Sequence, residues 1–394
     1  MRPALRKFGV GLTANVVLLA VVSFFVDLSS EIIFPLLPFF LVVQLGATYF
    51  IVGIMEGIAE LIASVIKVFS GFWSDRVGSR KRFIASGYGI SALTKVFFGL
   101  SAMWHHVFAL RVTERIGKGI REPPRDALVA ESTPREKVGK AFGFQRAMDT
   151  GGAILGPIFG IILLSIFVSA YQPIFLIATI PAFIAFLLTF LLKEKKKAKM
   201  PGERPKIGLK YLPARLKVFV VISSLFALGN FSFFFLMLRP LDLGMSETVT
   251  LGFYLVMNIS FAVSAIPAGV LSDRVGRVKT IAVGYIFFAA ACFLFVYQIG
   301  PVLIGVAFVI FGLSSGFVDA IQRAFICDMA PEDMRAVCLG THHMSVGVAK
   351  LGSNIIAGAL WSFLGVQFIF MYGVVMSVMA ATMLAGLTRV RATS

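Results

Sequence analysis

The chain has 394 residues, of which 58% are hydrophobic and 14% are charged, so it lacks the polar surface that a water-soluble globule of this size needs. This composition excludes an ordinary soluble enzyme and indicates a protein that is solvated by lipid. The formal net charge of +17 would suit a nucleic-acid-binding protein. The basic residues lie in short segments between apolar stretches, however, which argues against a nucleic-acid partner.

Twelve apolar stretches follow one another along the chain, each with about the 20 residues that a helix needs to cross a bilayer core. The sequence therefore predicts an all-α membrane protein with twelve transmembrane helices. The expected spans are 11–44, 47–73, 82–104, 107–131, 138–169, 172–192, 217–239, 248–271, 279–299, 302–325, 337–363 and 366–388.

Lysine and arginine mark every even-numbered gap between the predicted spans. The odd-numbered gaps carry almost none, apart from Arg239, which has Asp242 nearby. This bias predicts a multi-pass protein of the cell (inner or plasma) membrane with both termini in the cytoplasm, and an even number of crossings requires both termini on one side. The basic segments are 2–7, 76–82, 135–140, 193–217, 274–279, Arg335 and 389–391.

The first span carries two acidic residues near its middle. Asp27 and Glu31 are four residues apart and so share one face of a helix, and Pro35 and Pro38 then disturb the outer half of that helix. A charge at mid-membrane costs at least ~2.5 to 3.5 kcal/mol on insertion scales, so each carboxylate needs a partner or a water-filled cavity. Burial and a like-charged neighbour favour a carboxyl group that binds and releases a proton.

The second span adds Glu56, Glu60 and Lys67 at helical spacing, and a short motif follows it. The motif is Gly71-Phe-Trp-Ser-Asp75-Arg76-Val-Gly78-Ser-Arg80-Lys. A second copy stands almost two hundred residues later, with Gly269, Asp273, Arg274, Gly276 and Arg277. In both copies glycine permits a sharp turn, and the aspartate can cap a helix end or pair with arginine.

The third and fourth predicted spans are rich in basic residues. Lys95 lies in the third span. The fourth span carries a stripe of Arg111, Arg115, Lys118 and Glu122 on one face, and Arg121 beside it. Within the first five spans, eight acidic residues balance eight basic ones. Mutual neutralisation in a structural network is therefore the alternative to a functional role for each of them.

The fifth span contains the run Gly152-Ala-Ile-Leu-Gly156-Pro157-Ile-Phe-Gly160. Glycines at four-residue spacing allow another helix to approach closely, and Pro157 bends the helix. Ordinary tight packing is the alternative interpretation.

A polar segment divides the chain into two halves. We expect one bundle of six helices over residues 1–192, a cytoplasmic linker over 193–216 and a second bundle of six over 217–394. An even number of spans per half makes the two bundles parallel repeats. The spacing of Gly119, Pro134 and Gly143 recurs in Gly316, Pro331 and Gly340, which supports the repeat.

The second half has fewer polar residues inside its spans. Asn230 lies in the seventh span, and Asp319 and Arg323 lie in the tenth. His342 and His343 are adjacent and therefore point in different directions, so they do not form a metal site. The sequence predicts no metal, no cofactor and no enzymatic activity.

Taken over nearly its full length, the chain resembles the major facilitator superfamily. That family carries Gly-x-x-x-Asp-Arg-x-Gly-Arg-Arg/Lys between its second and third helices, and the first motif is similar to it with Ser79 interposed. The resemblance implies two six-helix bundles around a central cavity that opens alternately to each side. It also implies that the motif residues Gly71, Asp75, Arg76, Gly78 and Arg80, with their second copies, form a cytoplasmic gate.

Two further elements are similar to the drug:proton antiporter branch of that family. Arg115-x-x-Lys118-Gly119 looks like an Arg-x-x-Gln-Gly pattern linked to proton transfer, with lysine in place of glutamine, and the run from Gly152 to Gly160 looks like an antiporter element. The resemblance places the first, fourth, seventh and tenth helices at the cavity. We expect two groups of cavity residues. Those for proton coupling are Asp27, Glu31, Glu56, Glu60, Arg115, Lys118 and Glu122, and the candidates for binding substrate are Lys95, Arg111, Arg121, Asn230, Asp319 and Arg323.

Three functions are consistent with these residues. The first is proton-coupled efflux of drugs or small metabolites. The second is import or facilitated transport of a polar or anionic solute bound by Arg115, Lys118 and Arg121. The third is a membrane protein that transports nothing, such as a lipid scramblase or a sensor. A small-molecule substrate, protons and the lipid bilayer are the expected partners, and a chain with two bundles needs no second copy to form a cavity, so we expect a monomer.

Overall fold

In the computed structural model, the described residues are 12–168, 170–194, 208–298, 300–331 and 334–389, and all of their regular secondary structure is helical. Short π and 3-10 helices lie at Phe40–Gln44, Arg135–Lys137 and Leu209–Tyr211. The α-helices are α1 Ala14–Ile33, α2 Leu37–Phe39, α3 Tyr49–Val77, α4 Arg80–Gly99, α5 Trp104–Glu131, α6 Val138–Phe167, α7 Tyr171–Thr189, α8 Ala214–Gly229, α9 Phe233–Asp242, α10 Glu247–Val275, α11 Arg277–Val296, α12 Pro301–Met329, α13 Arg335–Phe363 and α14 Val366–Arg389.

Each predicted span coincides with a helical segment of the described part, and ten of these segments are long and apolar enough to cross a membrane. The other two are α4 and α5, which match the third and fourth predicted spans. Helix α4 begins with three consecutive basic residues, and α5 carries nine acidic or basic residues, which lowers the hydropathy of both. Most of the predicted linker, residues 195–207, and the terminal basic residues in 1–11 and 390–394 lie outside the described residues.

Two of the helical segments are broken. The first segment stops at Ile33 and resumes as α2 and a π-helix, at the place where Pro35 and Pro38 each remove a backbone donor. The seventh segment is broken between α8 and α9 without a proline. There the hydroxyl oxygen of Ser232 accepts a hydrogen bond from the backbone N–H of Phe234 at 3.3 Å, which caps the start of α9.

Contacts divide the chain into two compact units. The first unit comprises Met1–Leu37 and Ile62–Pro205, and the second comprises Pro38–Leu61 and Lys206–Ser394. Helix α3 therefore belongs to both units, with residues 49–61 in the second and 62–77 in the first.

The two units use the same pattern of helix neighbours. In the first unit α1 packs on α6 and α7, and α4 packs on α5 and α7. In the second unit α8 packs on α13 and α14, and α11 packs on α12 and α14. Since the partners hold equivalent positions along the two halves of the chain, the duplicated sequence motifs accompany a duplicated packing pattern.

Candidate functional site

The two carboxyl groups of α1 lie where α1 meets α6. Asp27 and Glu31 are both half-buried, one helical turn apart. A Cβ atom added at Gly152 would lie 2.9 Å from the Leu28 nitrogen and 3.0 Å from the Asp27 Cβ, and one added at Gly156 would overlap the Glu31 side chain. Only glycine fits at these two positions, so the α6 backbone lies directly against the turn that carries both carboxylates. Pro157 and Gly160 are buried in the same helix.

Lys95 of α4 is fully buried and is attached to α1. Its ammonium group donates to the Ser30 hydroxyl oxygen at 2.9 Å and to the Val26 carbonyl oxygen at 3.4 Å. Its exposed fraction is 0%, so the structure holds this candidate substrate ligand inside the first unit. Lys95 is therefore a polar link between α1 and α4, beside the turn that carries Asp27 and Glu31.

On α5 the charged residues pair with different partners at different heights. Glu122 accepts from Lys67 of α3 at 2.7 Å and lies 3.7 Å from Lys118. Arg111 is fully buried, lies 3.6 Å from Glu114 and places its guanidinium 4.2 Å from the centre of the Phe34 ring, at the break after α1. The stripe that the sequence predicts is thus made of separate paired groups.

Two more arginines of α5 reach neighbouring helices. Arg121 is buried, donates to the Ser91 hydroxyl oxygen of α4 and lies 4.8 Å above the Tyr88 ring. Arg125 donates to the Ser23 hydroxyl oxygen of α1 at 3.1 Å. Arg115 is half-buried.

Asp149 of α6 is a site residue that did not enter the predicted proton-coupling set. It interacts electrostatically with Asp27, and both residues also interact with Arg125. Asp27 further interacts with Lys118 and Glu31. The sequence contains a signal for Asp149, because it stands three residues before Gly152 and so shares the face of α6 that meets α1.

The two glutamates of α3 lie in the second unit. Glu56 is 2% exposed and accepts a hydrogen bond from the Ser232 hydroxyl at 3.0 Å, at the break between α8 and α9. The backbone N–H of Ser232 donates to the Asn354 side-chain oxygen at 2.7 Å. Glu56 and Glu60 thus belong to a different unit from Asp27 and Glu31, although the four were predicted as one set.

The remaining substrate-binding candidates are not gathered into a buried site. Asn230 is half-buried at the end of α8. Asp319 and Arg323 are both exposed on α12, where the Arg323 guanidinium donates to the Asp319 backbone carbonyl at 3.1 Å.

The first copy of the duplicated motif is an ion-pair cluster at the turn between α3 and α4. Gly78 adopts a φ of 73°, which favours glycine, and turns the chain. Arg80 then lies 2.6 Å from Asp75 and 2.7 Å from Glu131 at the end of α5, and 3.3 Å from the Ser74 hydroxyl oxygen.

The second copy repeats this geometry between α10 and α11. Gly276 has a φ of 98°. Arg277 lies 2.6 Å from Asp273, 3.0 Å from Asp328 at the end of α12 and 2.5 Å from the Ser272 hydroxyl oxygen. The duplicated cluster therefore includes an acidic residue from another helix that the motif itself does not contain.

The other residues of the motif have looser surroundings. Arg76 and Arg274 are exposed, so the arginines that pair with the aspartates are the later ones, Arg80 and Arg277. A Cβ atom at Gly71 would lie 3.6 Å from Pro123, and one at Gly269 would meet nothing within 4 Å.

Residues after α7 are bound to the first motif by reciprocal capping. The Glu194 carboxylate accepts hydrogen bonds from the Ser79 hydroxyl at 2.9 Å, from the Lys81 N–H at 3.2 Å and from the Arg80 N–H, so it caps the start of α4. In return, the Lys81 ammonium donates to the carbonyl oxygens of Phe190 and Leu192 at 2.6 and 2.8 Å.

Comparison with known proteins agrees with this architecture. The family profile described as Major Facilitator Superfamily matches residues 19–262 and 222–394. The uncharacterized MFS-type transporter MJ1317 of Methanocaldococcus jannaschii is 35% identical over 379 residues, which cover 95% of this chain and 94% of that protein. The chain therefore belongs to the Major Facilitator Superfamily, and it is a multi-pass membrane transporter.

Two further similarities bear on the kind of transport. The multi-drug resistance efflux pump PmrA of Streptococcus pneumoniae is 25% identical over 329 residues, which cover 79% of this chain and 80% of PmrA. Among solved structures, a point variant of the nucleoside transporter NupG superposes with a TM-score of 0.79 at 15% identity and covers 95% of this chain and 99% of that one. At that identity the second similarity concerns the fold alone.

Proposed function

We propose that this transporter exports drugs or small metabolites in exchange for protons, and that Asp27 and Glu31 exchange the protons. The observation that supports this most is the carboxyl pair of α1, half-buried and pressed against Gly152 and Gly156 of α6. A carboxyl group in such a position changes its interactions with every charged neighbour when it gains or loses a proton.

Protonation of Asp27 changes the electrostatic forces between α1 and its neighbouring helices. An ionised Asp27 attracts Lys118 and Arg125 of α5 and repels Asp149 of α6. When a proton neutralises Asp27, the attraction to α5 and the repulsion from α6 are both lost, so the balance of forces on α1 changes. Because α1 and α6 are in backbone contact, we infer that the two helices respond together.

The ion-pair clusters of Arg80 and Arg277 support a gate on the cytoplasmic side. Each arginine binds two acidic residues from different helical segments, so moving those segments apart breaks two ion pairs at once. We propose that both clusters stabilise one conformation of an alternating-access cycle, with all twelve helical segments crossing the cell membrane, both termini in the cytoplasm and one chain forming the working unit.

The direction of transport is inferred from two similarities. PmrA is a multi-drug resistance efflux pump, and the run from Gly152 to Gly160 is similar to the antiporter element of the family. A second candidate, import or facilitated transport of a polar or anionic solute, is favoured by the five basic residues of α5, which outnumber its four acidic ones.

Proteoliposomes with an imposed pH gradient test the proposal. The probes are ethidium for the drug class and radiolabelled uridine for a polar solute. We expect ethidium movement that reverses with the gradient in the natural protein and is lost in Asp27→Asn or Glu31→Gln. The matched control is Glu136→Gln, which removes an exposed acid from the first unit and has no assigned role.

Two other outcomes contradict the proposal. Uridine movement that ignores the gradient supports the second candidate and contradicts the first. No movement of either probe, in a protein that melts cooperatively, contradicts both candidate functions.

A further inference from the structure

The outer half of the first helical hairpin packs with the second unit. Contacts place Pro38–Leu61 in that unit, whereas the preceding part of α1 and the following part of α3 lie in the first unit. This outer hairpin, residues 38–61, contains α2, the π-helix, a turn at Gly46 and the first half of α3. On the predicted topology its turn lies on the outer side of the membrane.

Glycine residues bring the outer hairpin into backbone contact with α13. A Cβ atom added at Gly53 would overlap the Asn354 carbonyl oxygen and lie 3.1 Å from the Gly358 Cα. One added at Gly358 would lie 2.6 Å from the Tyr49 carbonyl oxygen. Small residues allow membrane helices to approach this closely, and in lipid such close packing is what holds two helices together.

Directional contacts fix how the outer hairpin sits on α13. The ring of Tyr49 stacks on that of Trp361, with the centroids 4.5 Å apart. The backbone N–H of Phe50 donates to the Ser362 hydroxyl oxygen at 3.0 Å. A stacked ring pair and a neutral hydrogen bond are weak compared with the burial of a whole helix, so this contact is able to open and close again.

The inner half of α3 is bound to the first unit instead. The Ser70 hydroxyl donates to the Ile120 carbonyl oxygen at 2.5 Å, and the Lys67 ammonium lies 2.7 Å from the Glu122 carboxylate. Helix α3 is continuous from Tyr49 to Val77 and contains no proline. A tilt of its inner half therefore moves its outer half as well.

Helix α1, in contrast, is interrupted where the outer hairpin begins. Pro35 and Pro38 each lack the backbone N–H that would continue the helix. The Phe34 ring lies 4.2 Å from the Arg111 guanidinium, which holds the near side of the break on α5 of the first unit. The boundary between the units, after Leu37, thus falls in irregular backbone that is able to absorb a bend.

We propose that the outer hairpin is a lid on the outer end of the second unit, which α3 lifts as a lever while α1 bends at residues 34–37. The structure has this lid closed on α13. A bundle that moves as one rigid body needs no break in α1, whereas a lid needs one at this place. The inference goes beyond the proposed function, because such a lid opens for any solute and does not depend on proton exchange.

Pulsed electron paramagnetic resonance on the spin-labelled full-length protein in nanodiscs tests the lid without a transported substrate. The three natural cysteines are first replaced by alanine. Labels at Val43 and Leu364, each 59% exposed, measure the distance from the lid to α13. Labels at Val302 and Leu364 are the matched control pair, since both lie in the second unit outside the lid. Labels at Val21 and Val43 span the break in α1.

The lid predicts a different result for each pair. We expect a short and a long distance for the first pair and a single distance for the control pair. Gly53→Ala places a Cβ against the Asn354 carbonyl oxygen, so the ratio of long to short distances rises about fivefold or more. Gly252→Ala, where a Cβ meets nothing within 4 Å, leaves that ratio unchanged. The Val21–Val43 distance changes together with the lid distance.

The opposite results overturn the proposal. One of them is a single lid distance that Gly53→Ala does not change. The other is a constant Val21–Val43 distance while the lid distance changes, because the first bundle then moves as one rigid body. Tyr49→Leu removes the ring stack without adding an overlap and replaces Gly53→Ala if that variant is not monodisperse. A lid that moves in a protein that carries neither ethidium nor uridine contradicts the proposed function alone.

Discussion

The contact of α1 with α6 predicts opposite effects for two glycine substitutions in the same helix. At Gly156 a new Cβ overlaps the Glu31 side chain and lies 3.0 Å from the Leu28 carbonyl oxygen, which is backbone and does not yield easily. Overpacking of this kind costs about 1–3 kcal/mol, while alanine in place of glycine gains up to about 1 kcal/mol in a helix. At Gly143 a Cβ meets nothing within 4 Å, so only the gain remains.

Thermal unfolding of the purified protein in one detergent measures this difference. We expect Gly143→Ala to match or exceed the natural Tm, and Gly156→Ala to fall below it, with about 1–3 kcal/mol between the two variants. Because the collision is with the turn that carries Glu31, Gly156→Ala also slows ethidium transport. Equal Tm values for the two variants would show that α6 does not approach α1 as closely as the structure has it.

Three further predictions concern the ion pairs and the helix caps of the first unit. Arg80→Met removes two ion pairs and shifts the gate equilibrium by about 1–2 kcal/mol, so we expect the initial rate of ethidium transport to change about 5–30-fold. Arg76→Met, which replaces an exposed arginine, leaves that rate within twofold or so. Equal effects of the two substitutions would refute the gate. Glu194→Gln and Lys81→Met each lower the Tm. The double variant lowers the Tm by less than the sum of the two single effects, because the two caps are reciprocal. Strictly additive changes in Tm would argue against that coupling. Glu122→Gln leaves two lysines without the carboxylate that they share. After allowance for partial exposure, this substitution costs about 1 kcal/mol in the free energy of unfolding. A Tm equal to that of the natural protein would contradict this prediction.

Much of the helical architecture follows from the sequence. Apolar stretches and basic gaps locate twelve helical segments, because a helix that crosses lipid must be apolar and because basic residues collect on one side of the membrane. Pro35 and Pro38 predict the first break, because proline removes a backbone donor. The break before Ser232 has no such signal. Glu56 and Asn354 bind Ser232 at this break, and they reach it only in the folded chain.

The partners of the site residues were harder to predict. Helical spacing shows that Glu56 lies on one face of α3, yet it carries no information on which unit that face meets. Glu194 reads as part of a charged linker, although its carboxylate caps α4. Long-range partners such as Glu131 for Arg80 depend on where the ends of separate helices meet, which periodicity does not encode.

Simultaneous recording of proton and ethidium movement in proteoliposomes tests the central claim most directly. With no imposed gradient, adding ethidium to one side is expected to move protons in the opposite direction in the natural protein. In Asp27→Asn and Glu31→Gln, ethidium still binds, as a thermal shift shows, but no protons move with it. Unchanged proton movement in both variants would contradict the assignment of proton exchange to the α1 carboxyl pair.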